Sequence, residues 1–469
     1  MTSVSRTRYG STGGTSPPTP TTATLRSRIS GACQACSGSE RSGSAVKYVS
    51  YWHDTAPSFG GGDTGSVEGL YDVAVIGGGF TGLGAARQLA KAGARVVVLE
   101  ADRVNSGASG RNGGHLNNGL AHSYLSAKAE LGKERAIALY RALDASIDTL
   151  EALIAEEGID CNFRRAGKLK LASKPKHFDA MALNFEAVHR EVDPETALLS
   201  AQDLSSEIGS PFFGAMLSKK SAMMHMGRYG VGLAEAAKRR GATIFEKAPV
   251  IAQAREGSRH RLATPRGSIT ADQVLLATGA YTTPNFRYFR RRIVTVGSFI
   301  IATRPLDTAE IAATMPGNRT CVTSMNVGNY FRLAPDNRLI FGGRARFSAT
   351  SDQRSDAKSG AVLVDSLTRT FPQLAGIPID YCWGGLVDMT SDRYPRAGYQ
   401  DGLWYAMGYS GHGAQLSTHL GMTIADAMLG REDQNPMKGL DWPAVPGHFG
   451  KPWFLPLVGM YYKALDRVQ

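Results

Sequence analysis

The sequence predicts an α/β fold, and three stretches point to it. Residues 71–114 read YDVAVIGGGFTGLGAARQLAKAGARVVVLEADRVNSGASGRNGG. This is a short apolar run, the pattern G-x-G-x-x-G at Gly77, Gly79 and Gly82, a helical stretch, a second apolar run and an acid, Glu100. That order is the signature of a Rossmann-type dinucleotide unit. Far downstream, short apolar runs are closed by Thr278-Gly279-Ala280 and by Gly408-Tyr409-Ser410-Gly411-His412-Gly413.

Each part of the first unit has a mechanical reason. Residues 73–76 have the length of a buried strand. Gly77 allows the tight turn out of it, Gly79 lets a pyrophosphate approach the backbone, and Gly82 lets the helix pack on the sheet. Thr81, after Phe80, opens that helix, whose first N–H groups and partial positive charge suit phosphates. Leu83, Ala86, Leu89 and Ala90 share one stripe, and Gly93 is a C-cap candidate. Residues 95–99 form the second strand, and Glu100 at its tip can bind both ribose hydroxyls. The glycine-rich loop 107–114, with Ser109, Gly110, Arg111, Asn112, Gly113 and Gly114, can lie along a long extended ligand.

On these residues the chain resembles the D-amino-acid oxidase and glycine oxidase superfamily of FAD enzymes; GASGRNGG looks most like its gamma-glutamylputrescine oxidase-like branch. The resemblance covers roughly residues 48–469. It implies non-covalent FAD in a glutathione-reductase-like domain built from residues 46–160, 226–290 and 385–430. It also implies an inserted α+β substrate domain, residues 161–225 and 291–384, with a mixed or antiparallel sheet. Under it, Val250 holds the adenine through its backbone, Thr278 and Gly279 belong to a second FAD signature, and Gly411, His412 and Gly413 form the last FAD loop. That loop and the following helix face the flavin's pyrimidine edge, where a reduced flavin carries negative charge.

The chemistry implied is hydride removal from a carbon bearing an amine, hydrolysis of the imine, and reoxidation by oxygen or another electron acceptor. The substrate would be a small-molecule amine, with an amino or imino acid (pipecolate, sarcosine or a D-amino acid) as the alternative. Amino-acid oxidases of this group often place an Arg before an Asp-Gly turn to clamp the α-carboxylate. Here Ala334 stands at that position and Arg332 two residues earlier. Either Arg332 takes over as the clamp or the substrate lacks an α-carboxylate near its amine, as gamma-glutamylputrescine does; a salt bridge elsewhere is the bland reading of Arg332. His115, after the loop, and Tyr330 are further catalytic candidates. Some relatives attach flavin through Cys or His; no cysteine falls at 384–385, although Cys382 is near.

Other stretches read as framework. Residues 133–157 form a helix with Leu139, Leu143, Ile147, Leu150 and Ile154 on one face, ended by Gly158. Residues 167–172 alternate, with Leu169 and Leu171 inward and Lys168 and Lys170 outward. His225 precedes a helix over 230–240. Strands are expected at 242–250, 261–263, 268–270, 274–277, 293–303, 330–333 and 338–341. The aromatics of 48–57, Trp52 among them, should pack on the fold, as should the apolar tail 431–469.

Composition excludes several classes. The chain has 469 residues and no apolar run of spanning length, so no transmembrane segment is expected. The net charge of +12 falls partly in the N-terminal region, through Arg6, Arg8, Arg26, Arg28, Arg41 and Lys47 against Glu40 and Asp54. Lys238-Arg239-Arg240 suits a helix C-terminus and Arg290-Arg291-Arg292 a solvated surface, so no nucleic-acid partner is expected. Cys161, Cys321 and Cys382 are far apart, which suits a reducing, cytoplasmic setting. Cys33 and Cys36 form a lone C-x-x-C, too few ligands for a metal site. Residues 1–45 are rich in Ser, Thr, Gly, Pro and Arg and should be a disordered extension, with the natural start expected near Val46.

Overall fold

Among the described residues, two eight-stranded sheets carry the fold, and a two-stranded pair joins His115–Leu116 to Ala222–Met223. The structure is a computed structural model that describes residues 45–346, 357–431, 434–450 and 452–468. The extension expected over 1–45, with its C-x-x-C, lies outside them apart from Ala45.

The first sheet grows from the glycine unit. Leu70–Ile76 is flanked in parallel by Val96–Leu99 and Gly267–Leu276. Thr243–Phe245 and Leu403–Met407 extend it on either side, also in parallel, and Arg396–Gln400 closes one edge antiparallel. All four residues of Val96–Leu99 are buried, as expected of a strand covered on both faces. Helix Phe80–Lys91 follows the first strand directly. A Cβ on Gly82 would stand 1.9 Å from the Gly77 carbonyl oxygen, so only glycine permits this approach. A Cβ on Gly421 would lie 2.3 Å from the Thr81 carbonyl oxygen, which puts helix Gly413–Met428 in backbone contact with Phe80–Lys91.

Some expected boundaries move. The strand expected over 242–250 stops at Phe245, and Lys247 takes a φ of +52°. The runs 268–270 and 274–277 are one strand, Gly267–Leu276. Ala252–Glu256, polar and largely exposed, pairs with Arg259–Thr264 and carried no apolar signal. The helix expected from 230 begins at Met226, because the His225 ring accepts the Arg228 N–H at 3.2 Å and caps it. Helix Lys133–Glu157 has the expected bounds and ends on Gly158 in the left-handed region. Its inward face also takes in Leu153, beside the half-buried Ile154.

The second sheet runs, in spatial order, Ile379–Met389, Val294–Pro305, Arg338–Arg346, Tyr330–Leu333, Thr320–Thr323, Lys168–Leu171, Gly214–Ser218 and Ala197–Ser200. Only Thr320–Thr323 and Lys168–Leu171 pair in parallel. One face is a core of Leu169, Leu171, Phe299, Ile301, Cys321, Phe331 and Phe341, covered by Leu363 and Leu367 of helix Ala357–Thr370. By the two-residue period of a strand, the other face carries Ser298, Val322, Tyr330, Arg332, Lys168 and Lys170. The two lysines were expected to face water. They instead look toward the interior between the sheets, where Lys168 Nζ donates to the Asn118 carbonyl at 2.9 Å. The boundary expected at 384/385 falls inside the continuous strand Ile379–Met389.

Two basic runs part ways. Lys238 and Arg240 pair with Asp63 and Glu157 at 2.5 and 2.9 Å, as a helix C-terminus predicts. The run at 290–292 is not a solvated surface. Arg292 Nε donates to the Trp442 carbonyl at 2.8 Å and its guanidinium lies 3.6 Å from the Tyr288 ring centre, while Val445 N–H donates to the Arg291 carbonyl. The run thus ties the 441–450 segment to the first sheet. The tail packs in part: Met437, Trp442, Leu455 and Gly459 are buried and Asp466 accepts the Asn326 and Val327 N–H groups, while Trp453, Leu457, Met460 and Tyr461 stay exposed. Among the described residues no helix is long and apolar enough to cross a membrane.

Candidate active site

A cavity of about 900 Å³ runs between the sheets, near the upper end of the size of small-molecule sites. Its lining includes Gly77, Gly79, Phe80, Thr81, Glu100 and Val250. Ser109, Arg111, Asn112, Gly113, Thr278 and Gly279 also line it, as do Gly411, His412 and Gly413. From the second sheet come Ser298, Val322 and Tyr330, with His115 and Asn117 beside them. Three separated segments and the inner face of the second sheet therefore meet on one space.

Local chemistry explains how the glycine turn is held. Glu100 Oε2 accepts the Gly78 N–H at 2.6 Å and Oε1 accepts the Asp102 N–H at 2.8 Å, so the strand tip and the glycine turn are fixed together. Burial raises its carboxyl pKa, against the lowering effect of those two N–H groups. Ser109 Oγ accepts the Phe80 N–H at 3.0 Å, joining the glycine-rich loop to the helix start.

That loop is stapled internally and externally. Asn112 Nδ2 donates to the Ser109 carbonyl at 2.8 Å, and its Oδ1 accepts the Gly114 N–H at 2.8 Å. Trp52 Nε1 donates to the Asn112 carbonyl at 2.6 Å, and Trp383 Nε1 to the Arg111 carbonyl at 3.0 Å. Arg111 itself donates to the Ser106 and Gly384 carbonyls. Trp52, fully buried, thus packs as expected, with the loop backbone as its partner.

Four expected site residues do not line the cavity, for stated reasons. Gly82 lies beneath the turn. Gly110 faces the other way, where a Cβ would stand 2.1 Å from His53 Nε2. Gly114, with φ of +77°, makes room for the Arg332 guanidinium. Arg332 sits behind the loop: it donates to the Met224 carbonyl at 2.9 Å and lies 5.1 Å from the Trp52 ring centre. Burial brings its pKa down to about 9, and no carboxylate pairs with it among the described residues. Arg332→Met is expected to leave the relative preference for α-amino acids over carboxylate-free amines within about threefold, because a group outside the cavity has no differential contact with them. KM ratios for paired substrates check this.

The catalytic candidates His115 and Tyr330 do meet. Their rings are 5.5 Å apart edge to face. The Tyr330 hydroxyl shares a hydrogen bond with Ser298 Oγ at 3.1 Å, and burial pushes its pKa up to about 12. His115 Nδ1 and Nε2 are 3.1 and 3.3 Å from the Gly113 and Phe331 carbonyls; its single neutral N–H can serve one of them. Burial, then the Arg332 charge, takes its pKa down to about 3, so it is neutral near pH 7. His225 stays away from the cavity, with its Nε2 at 3.0 Å from Thr55 Oγ1. Cys382 packs in the core of the second sheet, on the face away from the cavity.

The reading of residues passed over Asp388. It lines the cavity, and its Oδ2 accepts the Gly408 N–H at 2.6 Å, holding the 408–413 loop. Its only sequence signal is an acid at the end of an apolar run. Burial raises its pKa from 3.8 to about 6. The folded chain therefore holds this proton where the unfolded chain has released it, so its favourable contribution is complete below pH 3.8 and is lost as pH rises through about 6, a change of about 3 kcal/mol. Asp388→Asn keeps an acceptor for Gly408 and removes the titration. Denaturation midpoints should show the variant gaining on the wild type by that amount between pH 3 and pH 7, a gain absent if Asp388 does not titrate there.

The lining fits an extended dinucleotide. The Tyr281 hydroxyl and His412 Nδ1, both on lining residues, are buried without a partner, as groups awaiting a polar ligand are. Ser410 and Gly411, at φ of +51° and +90°, turn the loop so that helix Gly413–Met428 starts at the cavity wall. Among the described residues no cluster of His, Cys, Asp or Glu could hold a metal ion.

The family model described as FAD dependent oxidoreductase (DAO) matches residues 72–427. A probable oxidoreductase OrdL of Haemophilus influenzae is 33% identical over 84% of this chain and 92% of its own length. The gamma-glutamylputrescine oxidoreductase of Escherichia coli is 31% identical over 89% of this chain and 98% of its own. Among solved structures, glycine oxidase from Geobacillus kaustophilus superposes with a TM-score of 0.67 at 25% identity, covering 77% of this chain and 95% of that one.

Proposed function

Since the chain belongs to the DAO family of FAD-dependent oxidoreductases, we propose that it oxidises the C–N bond of a small amine of the gamma-glutamylputrescine type, giving an imine that water hydrolyses. The observation that carries this reading is the displaced clamp: Arg332 is held behind the loop, and Ala334 sits in a turn where its N–H donates to the Arg338 carbonyl. An α-carboxylate next to the reacting amine would find no arginine there.

Bound FAD supplies the two-electron acceptor; the protein binds, orients and excludes water. Gly77, Gly79, Phe80, Thr81 and Glu100 are assigned to the adenosine and pyrophosphate end, together with Val250. Ser109, Arg111, Asn112, Gly113, Thr278 and Gly279 are assigned to the middle, and Gly411, His412 and Gly413 to the flavin end. The start of helix Gly413–Met428 favours negative charge there. Gly82, Gly110 and Gly114 act one layer back, by letting backbone and side chains pass close.

Tyr330 and His115 are assigned to the substrate. Tyr330 stays protonated at neutral pH and can donate or accept a hydrogen bond, while neutral His115 adds no charge. Neither is set up as a strong base, so the amine should react in its neutral form. The electron acceptor that follows is oxygen or another oxidant, and FAD is held without a covalent bond.

An anaerobic screen of amines and amino acids, read by the fading of the flavin absorbance, tests the reading. Amines without an adjacent carboxylate should bleach the flavin at the lower concentrations. Bleaching by α-amino or imino acids alone would replace this reading with amino-acid oxidation.

A further inference from the structure

Beside the cavity, next to its lining residues Val322 and Asn117, lies a basic face that amine oxidation alone leaves unused. Leu169 and Leu171 turn into the core of the second sheet, so Lys168 and Lys170 stand on its inner face, both half-buried. Register places Lys170 beside Val322 and Val322 beside Tyr330, and the latter two line the cavity. Lys168 Nζ reaches the Asn118 carbonyl, one residue from the cavity-lining Asn117.

Neither lysine has a carboxylate partner among the described residues, and Lys170 has no hydrogen bond there. The neighbouring acids are engaged elsewhere: Asp144 faces Lys220 at 3.4 Å and accepts the Gly119 N–H at 3.0 Å. Around the pair lie buried polar atoms with no partner, namely both ring nitrogens of His122, Asn117 Oδ1, Asn118 Nδ2 and His412 Nδ1. Two ammonium groups drawn out of water without a counter-charge are costly, and an anion is what would offset that cost. Burial accordingly lowers both pKa values, that of Lys168 to about 8.

Distance sets the class of ligand. Tyr330 abuts the flavin-side loop, since a Cβ on Gly113 would lie 2.7 Å from its ring. Lys170 is two strand spacings away across the sheet, roughly 10 Å. An α-carboxylate cannot reach from one to the other; a carboxylate at the far end of a chain can.

We propose that Lys168 and Lys170 form an anion subsite adjoining the cavity, behind Val322 and Asn117 of its lining, which takes a carboxylate on the end of the substrate remote from the amine being oxidised. The substrate class is then an acylated or extended amine with a terminal carboxylate, and neither an α-amino acid nor a free diamine. The proposal rests on the amine-oxidation reading.

The test uses FAD-loaded protein and the variants Lys170→Met, Lys168→Met, the double variant and Lys170→Arg. N-Glutarylputrescine and N-acetylputrescine present the same amine with and without a terminal carboxylate. Wild type should be half-reduced at about 10- to 100-fold lower concentration of the first. The Met variants should lose that preference while keeping their response to N-acetylputrescine, and Lys170→Arg should retain it. Glutarate, titrated against the flavin spectrum, should bind wild type and not the double variant. Equal use of both amines by wild type, or equal glutarate binding by wild type and the double variant, overturns the subsite. Were neither amine to bleach the flavin, the oxidation reading would fall, and the glutarate titration would still decide the subsite. If a Met variant loses FAD, the wild-type amine pair decides alone.

Discussion

Gly82→Ala is expected to cost the protein its flavin. The new methyl would stand 1.9 Å from the Gly77 carbonyl oxygen and 3.0 Å from Val75 Cγ1. The first contact is to backbone, so it is relieved only by moving the turn or the helix, and overpacking of that kind costs about 1–3 kcal/mol or more. The turn and helix start are the wall on which the pyrophosphate should lie, so the strain falls on binding as well as folding. Flavin retained per chain after purification should drop at least tenfold, a figure of about 1.4 kcal/mol. Gly93→Ala is the control. It adds a methyl with nothing within 4 Å, at a φ of +88°. It should cost about 1 kcal/mol of stability and keep its flavin. Equal flavin content in the two variants would show that the close approach at Gly82 does not matter.

Glu100→Ala should weaken FAD binding about a hundredfold with the fold intact. The carboxylate accepts N–H groups from Gly78 and Asp102 across the mouth of the site and is the group placed to take ribose hydroxyls. Hydrogen bonds to a charged acceptor are worth about 1.5–3 kcal/mol, and two N–H groups are orphaned besides. Glu100→Gln retains acceptor oxygen without charge and should fall between. Fluorescence titration of the flavin-free variants with FAD reads the order. An unchanged Kd for Glu100→Ala would remove Glu100 from the site.

What could be read from residues alone was what is local. The glycine unit was legible because strand length, turn chemistry and helix stripe all lie within one stretch of chain, and Gly77, Gly79 and Glu100 do stand on the cavity. Helix Lys133–Glu157 was legible through its period and its terminal glycine. The misreadings concern what covers a face. Alternation correctly put Lys168 and Lys170 opposite Leu169 and Leu171, but periodicity does not say whether water or another domain lies beyond. Arg332 shares the inner face with Tyr330, yet Met224 and Trp52, far away in sequence, draw it behind the loop. Arg292 reads as surface charge until Trp442 and Tyr288 fold onto it. Asp388 is a single acid whose burial and bond to Gly408 depend on two segments meeting.

The most direct measurement is electron density for the FAD-loaded protein. The expected density is one extended cofactor whose ribose lies on Glu100 and whose ring system ends against Gly411, His412 and Gly413 with Tyr330 beside it. Density for the ring system at Val250 and Glu100, or FAD bound outside this cavity altogether, would contradict the assignment of every residue made here.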